Sequence, residues 1–204
     1  TYFSGLTSVA LYSVALPTTK VLAYIPQAIA RVMLPLTSEL WTKKEEKILK
    51  AGMEALYKYS IIVVLPLALM VFSFSDVILN IFFGKNYVAA STAMKILSIG
   101  MIFVPIGQTS FNFFLGVGKP QIPSKIVFGT SLFNFLSNLA LIPILGIIGA
   151  AISTTLSNLV MMVTGLIKTR NFMKLELPIK IWAKTIISGL ALVAVVYSLK
   201  NALN

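Results

Sequence analysis

Between Lys125 and Lys168 the chain runs through residues 126–167, 42 in all, without an Asp, Glu, Lys or Arg. No other feature limits the fold as tightly. As one helix the stretch would be about 60 Å long, at roughly 1.5 Å per residue, whereas a bilayer core is about 30 Å thick. A single crossing leaves half of it unexplained; two crossings fit. Pro143, Gly146 and Gly149 stand near its centre, in PILGIIG. Glycine permits tight backbone turns and proline interrupts helical pairing. The spacing predicts two transmembrane helices, with residues 143–149 as the turn between them at the membrane surface.

Composition agrees. Hydrophobic residues make up 57% of the 204 and charged residues only 11%, against about a quarter charged in soluble domains. The chain reads as an integral membrane protein. Its net charge of +11 would suit nucleic acid, but the positives fall between apolar spans, where topology rules place them. No nucleic-acid partner is expected. The absence of Cys excludes disulfides and thiolate zinc sites. The absence of His removes the commonest metal ligand and proton shuttle. No metal site and no cofactor is expected, although a coupling ion remains open. The chain opens at Thr1 with no basic leader, so it reads as a piece of a longer protein.

The expected fold is all-α: a polytopic membrane helix bundle of about six transmembrane helices. The spans are 6–36, punctuated by Pro17, Pro26 and Pro35; 56–75; 93–115, with Pro105 inside; 126–142; 147–167; and 181–199. Such prolines are tolerated because neighbouring helices satisfy the freed carbonyls. Twelve lysines and arginines fall in or beside the loops after the first, third and fifth spans, and three on the other side. The loops around Lys43, Lys119 and Lys168 are therefore expected in the cytoplasm, and the 143–149 turn outside. TKKEEKILKAGMEALYKY, residues 42–59, reads as a solvated loop and helix start on the anionic leaflet. Residues 75–91 read as a short interfacial helix, capped by Ser75 or Asp76 and ended by Gly84.

No catalytic constellation is visible. Gly116-Val-Gly118-Lys119 lacks the earlier glycine and the following Ser or Thr of a phosphate loop, and reads as a turn. The informative residues are polar ones inside spans. Lys20 lies about midway along the first span with no acid nearby in sequence. A charge at that depth costs several kcal/mol and normally faces water or a partner. The alternative is that the helix starts near Pro17 and Lys20 snorkels to the outer interface. Arg31 is nearer the cytoplasmic end, where snorkelling suffices, and is a secondary candidate. Gln108 and Asn112 share one helix face; Asn134 and Asn138, with Thr130, share another. These amides are helix glue or the lining of a polar path. Gly149, Ser153 and Ser157 form a small-residue stripe suited to helix packing.

Three stretches carry a family resemblance. LYSVALPTTKVLAYIPQAIARVMLPLTSEL (11–40), SDVILNIFFGKNYVAAS (75–91) and NLALIPILGIIGAAISTTLS (138–157) resemble elements of polysaccharide biosynthesis and oligosaccharide flippases. These belong to the multidrug/oligosaccharidyl-lipid/polysaccharide exporter superfamily. The resemblance covers about 190 of the 204 residues. It implies one lobe of a two-lobe, alternating-access transporter that flips polyprenyl-phosphate-linked oligosaccharide for surface glycan assembly, in the cell membrane. Residues 1–167 would be most of the C-terminal six-helix lobe, 168–180 a cytoplasmic basic loop and 181–204 an appended transmembrane helix, with the N-terminal lobe absent. Its partners would be membrane lipid, the lipid-linked oligosaccharide and that missing lobe. Cavity candidates are Lys20, Gln108, Asn112, Asn134 and Asn138, although relatives carry their cation one turn earlier, where this chain has Leu16. Two rival readings are a drug/cation antiporter of the same superfamily, which would want cavity acids, and a structural module that binds partner subunits. Without a nucleophile–base pair, an enzyme is not expected.

Overall fold

The computed structural model describes residues 5–203, all of it helix, turn or connection, with no strand among the described residues. Two helices, α1 (Gly5–Lys20) and α2 (Tyr24–Thr42), are joined by a 3-10 turn, Val21–Ala23. The remaining helices are α3 (Glu46–Phe83), α4 (Ser91–Gly116), α5 (Gln121–Leu145), α6 (Ile147–Met173) and α7 (Ile179–Leu203), with a second 3-10 segment, Lys85–Ala90, leading into α4. Five stretches are long and apolar enough to cross a membrane. The bent pair Thr7–Ala23 and Pro26–Thr42 makes a sixth if it counts as one span.

That bend is 51°, and Pro26 accounts for it. Proline offers no N–H to the carbonyl four residues back, and its ring pushes that carbonyl away. The 3-10 turn sits where this pairing fails. Pro17, by contrast, lies inside α1, so the first helix does not start there. Lys20 is the last residue of α1, at the corner of the bend.

The most buried helix is α4, which packs against α1, α2, α3 and α6. It has reason to be central. Gly100, Gly107, Thr109 and Ser110 keep its faces narrow, while Ile106, Phe113 and Phe114 fill the space between helices. From α3 comes a stripe at helical spacing, Leu49, Met53, Tyr57, Ile61 and Leu65, all buried in the same core. Against α6 the approach is closer still. A Cβ added to Gly100 would lie 2.7 Å from Thr155 Oγ1 and 3.1 Å from Thr155 Cα. Thr155 Oγ1 donates to the Ile96 carbonyl at 3.0 Å, and Asn158 Nδ2 to the Gly100 carbonyl at 3.3 Å. Close backbones and side-chain-to-carbonyl bonds are how helices adhere in lipid, where hydrophobic burial no longer drives association. Peripheral α7 packs on α3, with Gly189 seated against Leu65 and Leu69 and Trp182 Nε1 donating to the Tyr57 carbonyl at 3.2 Å.

Several local expectations change. The hairpin turn is Gly146 alone, at φ 55°. Pro143 remains in α5, its ring on an exposed face. Gly149 lies in α6, where a side chain would strike the Leu141 carbonyl of α5; it serves close approach, not turning. The charged 42–59 segment is mostly the start of α3, continuous with the apolar run. A helix that continues unbroken into a span cannot also lie flat on the leaflet. Residues 75–83 extend α3 past a kink at Phe74 (φ −115°, ψ 18°), and Gly84 ends them at φ 92°. Ser75 is not a cap there, since its hydroxyl bonds back to the Phe72 carbonyl. Finally, α6 runs on to Met173, so Lys168 and Arg170 belong to a helix and the connection to α7 is only residues 174–178. Polar residues at a helix end do not stop the helix when water can receive their side chains.

Candidate functional site

Where α1 bends away from α4 and α5, it leaves a cleft of about 580 Å³. That lies within the ~300–1,000 Å³ usual for ligand sites. Each wall contributes polar groups at helical spacing. From α1 and α2 come Lys20, Tyr24 and Gln27; from α4, Gln108; from α5, Thr130 and Asn134; from α6, Thr154, Ser157 and Asn158. The proline bend carries Lys20 to this cleft by ending α1 at that residue. Its side chain is exposed, and no acidic residue lines the cleft. Among the described residues the ion pairs are Lys43–Glu39 and Lys50–Glu54, so the Lys20 ammonium carries an uncompensated positive charge.

The expected cavity residues therefore separate. Lys20, Gln108 and Asn134 come together in the cleft. Asn138 adjoins it, its Nδ2 donating to Asn134 Oδ1 at 2.9 Å. Asn112 does not line it: its Nδ2 donates to the Ala30 carbonyl at 2.8 Å, across to α2. An amide bonded to a facing backbone joins helices. Arg31 is exposed on α2 and is not among the cleft residues. Of the small-residue stripe, Gly149 meets α5 and Ser153 is fully buried. Ser157 lines the cleft while donating to the Ser153 carbonyl. Among the described residues no group of three or more His, Cys, Asp or Glu comes together.

Sequence reasoning missed Gln27, Thr154 and Asn158. The signal was present. Tyr24 and Gln27 follow Lys20 at four and seven residues, and Asn158 follows Thr154 at four, the spacing of one helix face, although the bend puts Lys20 on α1 and the other two on α2. The Thr154 stripe lies one position beside the Gly149–Ser153–Ser157 stripe and faces the cleft more directly.

Chemically the cleft presents an ammonium and several amide N–H groups with no carboxylate opposite. Such a set accepts an anion readily, since ammonium and amide donors match phosphate oxygens. It is a poor host for a cation.

Comparison with known proteins places the chain. The MatE family model matches residues 1–140. An uncharacterized membrane protein of Methanocaldococcus jannaschii is 38% identical over 191 residues, 93% of this chain and 38% of its own length. A probable low-salt glycan biosynthesis flippase, Agl15, of Haloferax volcanii is 26% identical across 73% of this chain and 32% of its own length. A putative O-antigen transporter of Shigella flexneri is 28% identical across 73% of this chain and 35% of its own length. The chain thus spans about a third of the length of these curated relatives. Among solved structures, the inward closed conformation of the lipid II flippase MurJ superposes with a TM-score of 0.73 over 94% of this chain and 43% of that one, at 16% identity. That likeness is one of fold.

Proposed function

Since this chain belongs to the MatE family of multi-span membrane proteins, we propose that it forms one lobe of a flippase for polyprenyl-phosphate-linked oligosaccharide. The observation that carries the reading is the position of Lys20. An ammonium at mid-span costs about 3 kcal/mol, and here it has no acid to offset that cost. It has instead an open cleft and a ring of amides. A lipid-borne phosphate supplies the missing charge. The sugar head would ride in the cleft while the prenyl tail stays in the bilayer, so the polar head never enters hydrocarbon.

The relatives support the same reading, because two of them are named for glycan flipping and O-antigen transport. A second lobe would close the open side of the cleft, and alternating access would follow from rocking the two lobes about it. The lysine-rich ends near Lys43, Lys119 and Lys168 would face the cytoplasm. The antiporter reading fares worse, since cation binding wants carboxylates and the cleft lining has none.

The test is Lys20→Met in the full-length protein. Flipping of polyprenyl-linked oligosaccharide in reconstituted vesicles should fall by tenfold or more, the equivalent of about 1.4 kcal/mol or more in the barrier. Membrane insertion should be retained and the melting temperature should hold or rise, since the variant removes an uncompensated charge. Undiminished flipping by that variant would remove Lys20 from the mechanism and the reading with it.

A further inference from the structure

The Lys20 cleft is one part of a longer groove. A second cleft of about 490 Å³ lies between the N-terminal part of α1 and the hairpin end of α5 and α6. The two share three lining residues, Leu16, Asn134 and Thr154. Each comes from a different helix, so together they mark one level along the bundle. On α1 the groove continues from Lys20 through Leu16 to Tyr12 and Ser8. That is twelve residues, or about 18 Å along the helix axis. On α5 it runs from Thr130 through Asn134 to Asn138, and on α6 from Asn158 through Thr154 to Ala150.

The two sides of that level differ in chemistry. The ammonium lies on one side. The other side holds no charged group; its polar residues, among them Ser8, Tyr12, Ser13 and Asn138, are set among apolar Val9, Ile142, Ile147 and Ala150. The Tyr12 and Thr154 hydroxyls are hydrogen-bonded at 2.9 Å. Asn138 donates to Asn134 Oδ1 at 2.9 Å, which turns the Asn134 amide so that its N–H groups are left for a ligand. Of the three shared lining residues, Leu16 is the apolar one.

We propose that the groove is a two-compartment site: the Lys20 compartment takes a phosphate, and the uncharged compartment beyond Leu16 takes sugar hydroxyls, with Tyr12, Asn134 and Asn138 setting sugar preference. The inference rests on the flippase reading above. Its physical basis is matching of donors and acceptors. A phosphate accepts hydrogen bonds without donating, and needs a counter-charge once water is removed. The uncharged compartment offers none, so an anion there would be poorly compensated. Sugar hydroxyls both donate and accept, as do amides and hydroxyls, and need no charge. The level between the compartments then spaces the anionic and carbohydrate parts of one ligand along the membrane normal.

The experiment compares two ligands on the full-length protein in nanodiscs: bare polyprenyl phosphate, and polyprenyl phosphate bearing an oligosaccharide. The readout is the ratio of their affinities. Asn138→Leu and Tyr12→Phe should each reduce the preference for the glycosylated lipid about threefold to tenfold, as loss of one or two neutral hydrogen bonds would. Lys20→Met should weaken both lipids and leave the ratio near that of the parent. Tyr12→Phe keeps the ring and its packing, so it reads the hydroxyl even where Asn138→Leu fails to fold. An unchanged ratio in Tyr12→Phe and in every folded Asn138 variant, or a ratio shifted by Lys20→Met alone, would overturn the partition. A parent protein that bound neither lipid would instead overturn the flippase reading on which it stands.

Discussion

The seam between α4 and α6 and the groove between α1 and α5 are built from the same residue types, yet they behave oppositely. In the seam, glycine brings two backbones together, and the Thr155 and Asn158 side chains bond to the Ile96 and Gly100 carbonyls across it. In the groove the amides do otherwise, apart from Asn158 at its edge, which lines the cleft and is also the seam amide bonded to the Gly100 carbonyl. Gln27 and Gln108 face open space there, and Asn138 bonds to Asn134 on its own helix. The lesson is that a polar residue inside a membrane protein is glue or lining according to backbone distance. A facing carbonyl within reach makes it glue, as at Gly100 and Ala30; a proline bend beside it makes it lining.

The sharpest way to break this contrast is to fill a seam glycine. Gly100→Leu should cost about 3 kcal/mol, the upper end for overpacking, because the new side chain meets the Thr155 backbone as well as its movable hydroxyl. Thermal denaturation in detergent would read it as a large drop in melting temperature or a loss of folded protein. Gly129→Ala on α5 is the control, since nothing lies within 4 Å of its would-be Cβ. It should hold or raise stability. Equal melting of the two variants would mean the seam is not close-packed.

A smaller effect tests the two amides that share a helix face. Asn112→Leu removes the bond to the Ala30 carbonyl and should cost about 1 kcal/mol of stability. Gln108→Leu, one turn away in the cleft, should leave melting temperature nearly unchanged while slowing transport. If Gln108→Leu destabilised as much as Asn112→Leu, the distinction between glue and lining would fail at this pair. The smallest effect belongs to neither region. Glu39 and Lys43 pair at 2.6 Å on an exposed surface, where water and salt screen them. Lys43→Met should not shift the melting temperature measurably.

Much of the architecture was legible from the amino acids alone. That the chain lives in a membrane, crosses it about six times and turns back within residues 126–167 follows from local sums of hydropathy, because lipid acts on each segment independently of the others. Gly84 as a helix end was equally local, since a positive φ selects glycine. Where neighbouring helices mattered, sequence fell short. Pro143 was a plausible turn residue, yet it stays in α5 because one glycine beyond it already suffices. Gly149 was legible both as part of the same turn and as part of a packing stripe, and the position of Leu141 decides for packing.

The candidate groove was decided by tertiary structure almost entirely. The sequence put an ammonium at mid-span and several amides at helical spacing, and so determined that polar groups would lie in lipid. It did not determine which of them meet. The partner of Asn112 is 82 residues away in the chain and that of Thr155 is 59 away. Periodicity orients a side chain around its own helix axis, but what that side chain faces depends on how other axes cross it. Those crossings are set by small residues and by the bend before Pro26, which is why Lys20, Gln108 and Asn134 share a cleft and Asn112 does not.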